Sequence, residues 1–208
     1  MKFITYSHNY GEEIVKNNEE FQQNWLEVKH ALESITESDL IEYFIGLGNK
    51  RGKSISRSIN DLLYQKFKGL DWEVESPIFN DDRYDGKSQW RLDFAKDTMS
   101  IEVGFNHSGS ISWNLLKPVL ASELNHVKKA IQTKIGIIIT ATDELRDSGG
   151  FDRAIGTFSQ YIRYLLPLGG KLTTPLIIIG LEAPESFRIV QKKNPDLNRM
   201  EGYIDYLV

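Results

Sequence analysis

Apolar residues in the first third of the chain recur at the spacing of amphipathic helices. One stripe between residues 19 and 35 has intervals of four, three, four and three, and it comprises Phe21, Trp25, Val28, Leu32 and Ile35. Such a stripe lies on one face of a helix and predicts a helix over this segment. A second helix is expected after Ser38, and a third over residues 58–68, where Gly69 provides a C-terminal cap.

Shorter apolar runs follow and predict strands. "WRLDFAK" and "MSIEVGF" flank a turn-like stretch and predict an antiparallel pair, preceded by the loosely alternating "WEVESPIF". "KIGIIITAT" and "TTPLIIIGLEAP" are typical of buried strands, and "FDRAIGTFSQYIRYLL" between them has helical spacing. Hairpin and crossover connections together predict an α/β fold with a mixed central sheet flanked by helices. We find no internal repeat or linker and expect a single domain over residues 1–208.

A polar segment and a proline stand between two of these strands. "NHSGSISWN", residues 106–114, is typical of a loop. Pro118 favours the first turn of a helix, because a proline there loses no useful hydrogen-bond donor. That helix is predicted to run to about Gln132, and the chain after the last apolar strand is expected to be peripheral.

Composition narrows the class of protein. The chain is 40% hydrophobic and 26% charged, and it has no apolar run of the length that spans a bilayer. The first residues lack the apolar stretch of a secretory signal, so we expect a cytoplasmic location. The absence of cysteine excludes disulfides and thiolate metal sites.

The charge is unevenly distributed. The net charge of −4 argues against a protein that coats nucleic acid indiscriminately, although a site-specific binder remains compatible with it. Residues 48–60, "GNKRGKSISRSIN", contain Lys50, Arg51, Lys53 and Arg57 and no acid. Such a segment suits contact with DNA phosphates or bases. The alternative is an ordinary basic loop.

Two acidic residues stand on neighbouring predicted strands, Asp93 in "RLDF" and Glu102 in "SIEV". Alternate residues of a strand share a face, so Glu102 and Gly104 point to the face opposite Val103, and Asp93 is expected across from them. Paired carboxylates repel each other unless a positive group lies between them. A divalent cation with oxygen ligands, such as Mg²⁺, meets that need. The alternative is that both acids face solvent or form ion pairs with nearby basic residues.

This arrangement resembles the PD-(D/E)XK nuclease core, and in particular the BglII and BstYI group of type II restriction endonucleases. The resemblance rests on "LDFAKDTMSIEVGF", with "TYSHNYGEEI", "WLEVKHAL" and "TTPLIIIGL" in the family's order. It implies a restriction-endonuclease-like fold. It also implies that Asp93 and Glu102 are the catalytic acids and that they bind Mg²⁺ together with the carbonyl of Val103.

One position departs from the pattern. At this position the general motif has lysine and the BglII and BstYI group, which this chain resembles, has glutamine. This chain has Gly104 instead. Glycine has no side chain to orient or deprotonate the attacking water. Either Asn106 or His107 takes over that task, or the ion and the phosphate organise the water themselves, or the protein cuts slowly.

The resemblance also places the segment after the catalytic strand near the DNA major groove, where base edges carry an unambiguous code. The DNA-binding candidates from this segment and the basic one are Lys50, Arg51, Lys53, Asn106, His107, Ser108, Ser110, Ser112 and Asn114. For the segment after the strand, the alternative is a solvated connector.

Enzymes of this group act on palindromes, which a two-fold dimer matches with one active site per strand. A homodimer is therefore expected. The helix predicted from Pro118 offers a candidate dimer surface in the apolar residues Val119, Leu120, Leu124, Val127 and Ile131. The alternative is that this stripe packs on the protein's own sheet.

Taken together, the residues and the resemblance predict a Mg²⁺-dependent type II restriction endonuclease. It would hydrolyse double-stranded DNA at a short palindrome, with a GATC-containing site expected from the group, and leave 5′-phosphates. A cognate DNA methyltransferase would act on the same site without needing to bind this protein. The alternatives are a catalytically weak or inactive DNA-binding protein of the same fold, a PD-(D/E)XK nuclease outside restriction, and a partner-binding α/β domain.

Overall fold

Six strands form the central sheet: β1 (Phe3–His8), β2 (Glu73–Pro77), β3 (Arg91–Lys96), β4 (Met99–Val103), β5 (Ile135–Ala141) and β6 (Leu176–Leu181). The computed structural model describes residues 1–50, 52–84, 90–123, 127–195 and 198–207. The strand order is β1-β6-β5-β4-β3-β2. β4, β5 and β6 are parallel, whereas β1, β2 and β3 pair antiparallel with their neighbours. The prediction of a mixed sheet is confirmed.

The two most apolar strands lie at the centre of this sheet. Every residue of β5 and β6 is buried. A strand that is covered on both faces has no need for alternating polar residues, and this explains the continuous apolar runs in the sequence.

Seven α-helices surround the sheet in the described part of the chain: α1 (Gly11–Asn17), α2 (Glu19–Glu33), α3 (Glu37–Gly46), α4 (Ser56–Gly69), α5 (Ile111–Ser122), α6 (Asp143–Ser148) and α7 (Phe158–Leu168). The first three predicted helices are confirmed as α2, α3 and α4. The side chain of Asn18 caps α2 by accepting the Glu20 N–H at 3.0 Å. Thr36 and Asp39 form a capping box at the start of α3. None of the helices described here is long and apolar enough to cross a membrane.

The helices form a layer on each face of the sheet. On one face, the apolar stripe of α2 packs in the main core with Ile101, Ile137 and neighbouring strand residues. On the other face, α5 and α7 pack around Ile138 and Ile178. Glu102 pairs in register with Ile138 and therefore faces the layer of α5 and α7.

The prediction of a helix from Pro118 to Gln132 is wrong. α5 begins at Ile111 and ends at Ser122, so Pro118 lies inside it, and it also takes up the last residues of the predicted loop 106–114. An interior proline removes one helical hydrogen bond, a cost that the sequence rule avoids by placing proline at the start. In the structure Pro118 packs against Gly136 of β5, where an added Cβ would lie 2.4 Å from Pro118 Cβ. Helix and strand approach closely at this contact.

The apolar stripe considered as a dimer surface packs within the chain. Val119 is buried in the cluster of α5 and α7. Leu120, Val127 and Ile131 are partly buried against a smaller apolar cluster beside β3. Leu124 lies outside the described residues. For the described members, the structure thus shows the intramolecular alternative.

Two further strands, β7 (Phe187–Asn194) and β8 (Arg199–Tyr206), form an antiparallel hairpin outside the central sheet. Phe187 and Ile189 are nevertheless buried in the main core. The Gly202 N–H donates a hydrogen bond to the Gly52 carbonyl at 2.9 Å and so joins the hairpin to the basic segment. The tail is therefore less peripheral than predicted.

Candidate active site

Asp93 on β3 and Glu102 on β4 lie side by side. The register pairs Phe94 with Ile101, and its continuation places Asp93 opposite Glu102 on the same face of the sheet. The Asp93 N–H donates a hydrogen bond to Glu102 Oε1 at 3.3 Å. The Val103 N–H donates one to Asp93 Oδ2 at 2.6 Å. The strand pair itself thus brings the two carboxylates together.

Both carboxylates line an open pocket of about 310 Å³. Its other lining residues come from α4, β2, β3, β4, α5 and the segment after β4: Asn60, Asp61, Tyr64, Val74, Glu75, Phe94, Val103, Asn106 and Lys117. Glu102 is only 2% exposed, so it lies at the base of the pocket rather than on its rim. A pair of carboxyl groups that is largely removed from solvent and still borders a pocket is a candidate site for a ligand.

Burial dominates the electrostatics of the pair. It raises the pKa of Asp93, and together with repulsion from Asp93 it raises the pKa of Glu102 to about 8. The Lys117 ammonium opposes both shifts. Because one ammonium faces two desolvated carboxyl groups, a further positive charge would stabilise the ionised pair. Perturbed groups of this kind are concentrated at functional sites.

The donor set fits a divalent cation that is held partly by water and substrate. Within the described ranges, no group of three or more His, Cys, Asp or Glu side chains is placed to hold a metal ion. Mg²⁺ retains several water ligands and is commonly bound by one or two carboxylates together with substrate phosphates. Asp93 and Glu102, with the carbonyl of Val103 on the same strand, match that pattern.

Position 104 has no room for a side chain. A Cβ on Gly104 would lie 2.2 Å from Tyr161 Oη and 3.1 Å from Asn114 Nδ2. Tyr161 is a buried residue of α7, and its hydroxyl accepts a hydrogen bond from Asn114 Nδ2 at 2.7 Å. The space into which a motif lysine or glutamine would extend is therefore occupied.

Sequence reasoning missed Lys117. This residue of α5 is 9% exposed, lines the pocket, and donates a hydrogen bond from Nζ to Glu102 Oε2 at 2.8 Å. The sequence carries one signal for it: Lys117 is the sole charged residue of the helix "ISWNLLKPVLAS". The error in the start of α5 hid that signal.

Glu75 was also missed. It lines the pocket, and the β2–β3 register places it opposite Asp93. Its backbone has a φ of 52°, an unusual value for a residue with a side chain. Its charge contributes to the raised pKa of Asp93, after the larger effect of burial. Three acidic residues therefore lie in a row across β2, β3 and β4.

The polar residues after β4 are placed unequally. Asn106 is exposed and lines the pocket, and His107 and Ser112 are also exposed. Ser108 and Ser110 are half-buried in a short 3-10 turn in which the Ser110 N–H donates to the His107 carbonyl at 2.8 Å. The exposed members of this group are available to a large ligand at the pocket.

Asn114 is buried, and Trp113 is half-buried against another aromatic side chain. Asn114 is 4% exposed and bonded to Tyr161, so its side chain does not reach the surface, which corrects the prediction that it contacts DNA bases. The Trp113 ring packs edge-on against Trp90, with ring centroids 5.1 Å apart. Both residues belong to α5, whose early start explains their positions.

The basic segment leads into one wall of the pocket. Lys50 and Lys53 are exposed, whereas Arg51 lies outside the described residues. The segment is fixed by the Gly52–Gly202 hydrogen bond, and α4 begins three residues after Lys53. The first turns of α4 then carry Asn60 and Asp61 to the pocket.

The fold is shared with a restriction endonuclease. A crystal structure of BglII complexed with a DNA 16-mer matches over 100% of both chains, with a TM-score of 0.67 and 16% sequence identity. Free BglII matches over 100% of both chains, with a TM-score of 0.55 and 16% identity. A comparison with curated protein sequences finds no match.

A family-level sequence comparison goes further than the fold. The model of the restriction endonuclease BglII/BglIII family matches residues 3–181, a range that begins with β1 and ends with β6. The chain belongs to this family and is a type II site-specific deoxyribonuclease. The resemblance inferred from the motif around Asp93 and Glu102 is confirmed at the level of the family.

Proposed function

We propose that this protein binds double-stranded DNA and hydrolyses a phosphodiester bond in each strand of a short palindrome, in a Mg²⁺-dependent reaction that leaves 5′-phosphates. The observation that carries the proposal is the contact between Asp93 and Glu102 in a pocket of a restriction-endonuclease fold. These two carboxylates and the carbonyl of Val103 hold the cation. When bound there, Mg²⁺ stabilises the negative charge that develops on the phosphate and on the leaving oxygen.

The residues around the pocket orient the DNA. Lys50, Arg51 and Lys53 contact backbone phosphates, which provide affinity and register. The exposed polar residues beside the pocket approach the base edges, namely Asn106, His107 and Ser112, with Ser108 and Ser110 in the adjoining turn. Two copies of the chain, each a single domain over residues 1–208, place one pocket on each strand of the palindrome. By analogy with the group, the site contains GATC and is shared with a methyltransferase.

A digest tests the proposal. Supercoiled plasmid is incubated with the wild-type protein in Mg²⁺ or in EDTA, and the ends of the products are sequenced. Discrete fragments with one terminal sequence in Mg²⁺, and none in EDTA, are expected. Asp93→Asn should abolish cutting. The matched control is Asp71→Asn, at an exposed residue with a φ of 60° that asparagine accepts readily. Cutting by Asp93→Asn at the wild-type rate would refute the site.

One observation favours a different function, a DNA-binding protein of the same fold with little or no catalysis. Tyr161 and Asn114 fill the space beside Gly104, so the motif's usual catalytic side chain has no place there. The same digest distinguishes the functions: retarded but intact DNA supports the binding protein, and a smear of fragments supports a nonspecific nuclease.

A further inference from the structure

Two residues of α5 face the strand that carries Glu102, one helical turn apart. Residues three apart on a helix share a face, so Asn114 and Lys117 both point toward β4. Asn114 Nδ2 meets the Tyr161 hydroxyl that fills the space beside Gly104. One turn later, Lys117 Nζ meets Glu102 Oε2. The helix thus blocks the strand position of the motif residue and brings an ammonium to the neighbouring carboxylate.

The position of this ammonium matches the place that a motif lysine would reach. On a strand, residue 104 shares a face with Glu102, and a long side chain at 104 would extend its amine along the Glu102 carboxylate. Lys117 brings its amine to that carboxylate from the helix that covers the same face. The same chemical group therefore stands at the same carboxylate, attached to a different part of the backbone.

The ammonium has donors left for a ligand. A lysine ammonium carries three N–H donors. In the part of the chain that the structure describes, Glu102 Oε2 is the single hydrogen-bond partner of the Lys117 ammonium. The residue also borders the pocket. Two N–H groups are consequently available to oxygen atoms that enter the pocket beside Asp93 and Glu102.

We propose, resting on the proposed function above, that Lys117 takes the role of the lysine or glutamine missing at position 104. Its ammonium donates hydrogen bonds to the attacking water and to a non-bridging oxygen of the scissile phosphate. The water oxygen forms a new bond to phosphorus, the bond from phosphorus to the 3′ oxygen breaks, and the 3′ oxygen gains a proton while the water loses one to solvent. The fixed positive charge stabilises the charge that grows on the phosphate oxygens.

The alternative is that Lys117 only neutralises Glu102. A purely structural ion pair would affect folding and cation binding, because loss of the ammonium leaves a buried carboxylate unpaired. A residue that contacts the reacting atoms would affect the chemical step instead. The two roles therefore predict different responses of the rate of cleavage and of binding.

The test compares Lys117→Met with Lys96→Met. Lys96 forms an ion pair with Glu27 at the same distance, 2.8 Å, and does not line the pocket, so it controls for the loss of a partly buried Lys–Glu pair. Single-turnover cleavage is measured in Mg²⁺, DNA affinity in Ca²⁺, Mn²⁺ affinity by calorimetry without DNA, and the melting temperature by circular dichroism. Should Lys117→Met fail to fold, Lys117→Gln, which keeps a donor for Glu102, replaces it.

Lys117→Met is expected to lower the cleavage rate constant about 10²- to 10³-fold, the range for loss of one transition-state donor. DNA affinity should stay within about threefold, and Mn²⁺ should bind at least as tightly, because a competing positive charge has been removed. Lys96→Met should cut at the wild-type rate. Wild-type cutting by Lys117→Met, or a loss of cutting matched by a loss of Mn²⁺ binding, would overturn this role while leaving the proposed function standing. Failure of the wild type to cut DNA would overturn both.

Discussion

Gly104→Ala tests whether the folded protein has space for a side chain at position 104. The added Cβ would lie 2.2 Å from Tyr161 Oη and 3.0 Å from Tyr161 Cζ, and neither the ring nor its hydroxyl can move freely because Tyr161 is 1% exposed. Overpacking of this kind in a core typically costs about 1–3 kcal/mol. We expect Gly104→Ala to lower the free energy of unfolding by an amount in that range.

A second variant separates this clash from other effects of the methyl group. Tyr161→Phe removes the hydroxyl that the Cβ meets first, and it leaves the buried Asn114 amide without its acceptor, which costs about 1–3 kcal/mol. In the double variant the remaining close contacts of the Cβ are with the ring carbon at 3.0 Å and with Asn114 Nδ2 at 3.1 Å, which shifts of a few tenths of an ångström relieve. Gly104→Ala should therefore cost less in the Tyr161→Phe background than in the wild type.

Urea denaturation of the four proteins, followed by circular dichroism, measures this coupling as the departure of the double variant from additivity. A coupling of about 1 kcal/mol or more, in the stabilising direction, is expected. Additive effects, or a Gly104→Ala variant as stable as the wild type, would show that position 104 has room. The reasoning that a motif side chain is excluded there would then be wrong.

Three further predictions concern other parts of the molecule. Burial and the repulsion from its neighbour raise the pKa of Glu102 from 4.5 to about 8, so without divalent ions stability should fall as pH rises from about 4.5 to 8, by up to about 1.4 kcal/mol per pH unit. Urea denaturation in EDTA at pH 5 and pH 8 should show this fall in the wild type and not in Glu102→Gln. The same change in the free energy of unfolding between the two pH values in both proteins would contradict the prediction. Gly136→Ala should destabilise the protein by about 1–3 kcal/mol in thermal melts, since its Cβ would lie 2.4 Å from Pro118 Cβ. Replacement of Lys50 and Lys53 by alanine should reduce the slope of log affinity against log salt concentration by about 2, and an unchanged slope would mean that neither contacts a phosphate.

The local pattern of the sequence was sufficient to predict most of the helices and strands. The stripe of α2 and the runs of β5 and β6 carry their periodicity within a few residues, and the two strands bearing Asp93 and Glu102 are adjacent in sequence, so their pairing follows from the turn between them. α5 was misplaced because the position of Pro118 depends on its contact with Gly136, a tertiary feature with no local signal.

The same limitation explains what was missed at the site. Lys117 reaches Glu102 only because α5 crosses the sheet at that point, and Glu75 reaches the pocket through the pairing of β2 with β3. Asn114 was read as a surface residue because its sequence neighbours are polar, whereas its buried partner, Tyr161, is 47 residues away along the chain. Contacts between residues so distant in sequence cannot be derived from spacing alone.

The charges at the pocket connect the cation, the DNA and pH. Burial and the Asp93 carboxylate raise the pKa of Glu102. When Glu102 carries a proton, the Lys117 ammonium balances the one remaining carboxylate of the pair, that of Asp93. If a divalent cation occupies the site, as proposed, it must displace that proton, and Asp93, Glu102, Lys117 and the cation together then carry one net positive charge that favours a phosphodiester over water. Cation binding should therefore release a proton and strengthen DNA binding, and by linkage DNA should strengthen the binding of the cation to the same degree. Desolvation destabilises the ionised carboxylates while no cation is bound. The binding of the cation and the binding of DNA are coupled for this reason.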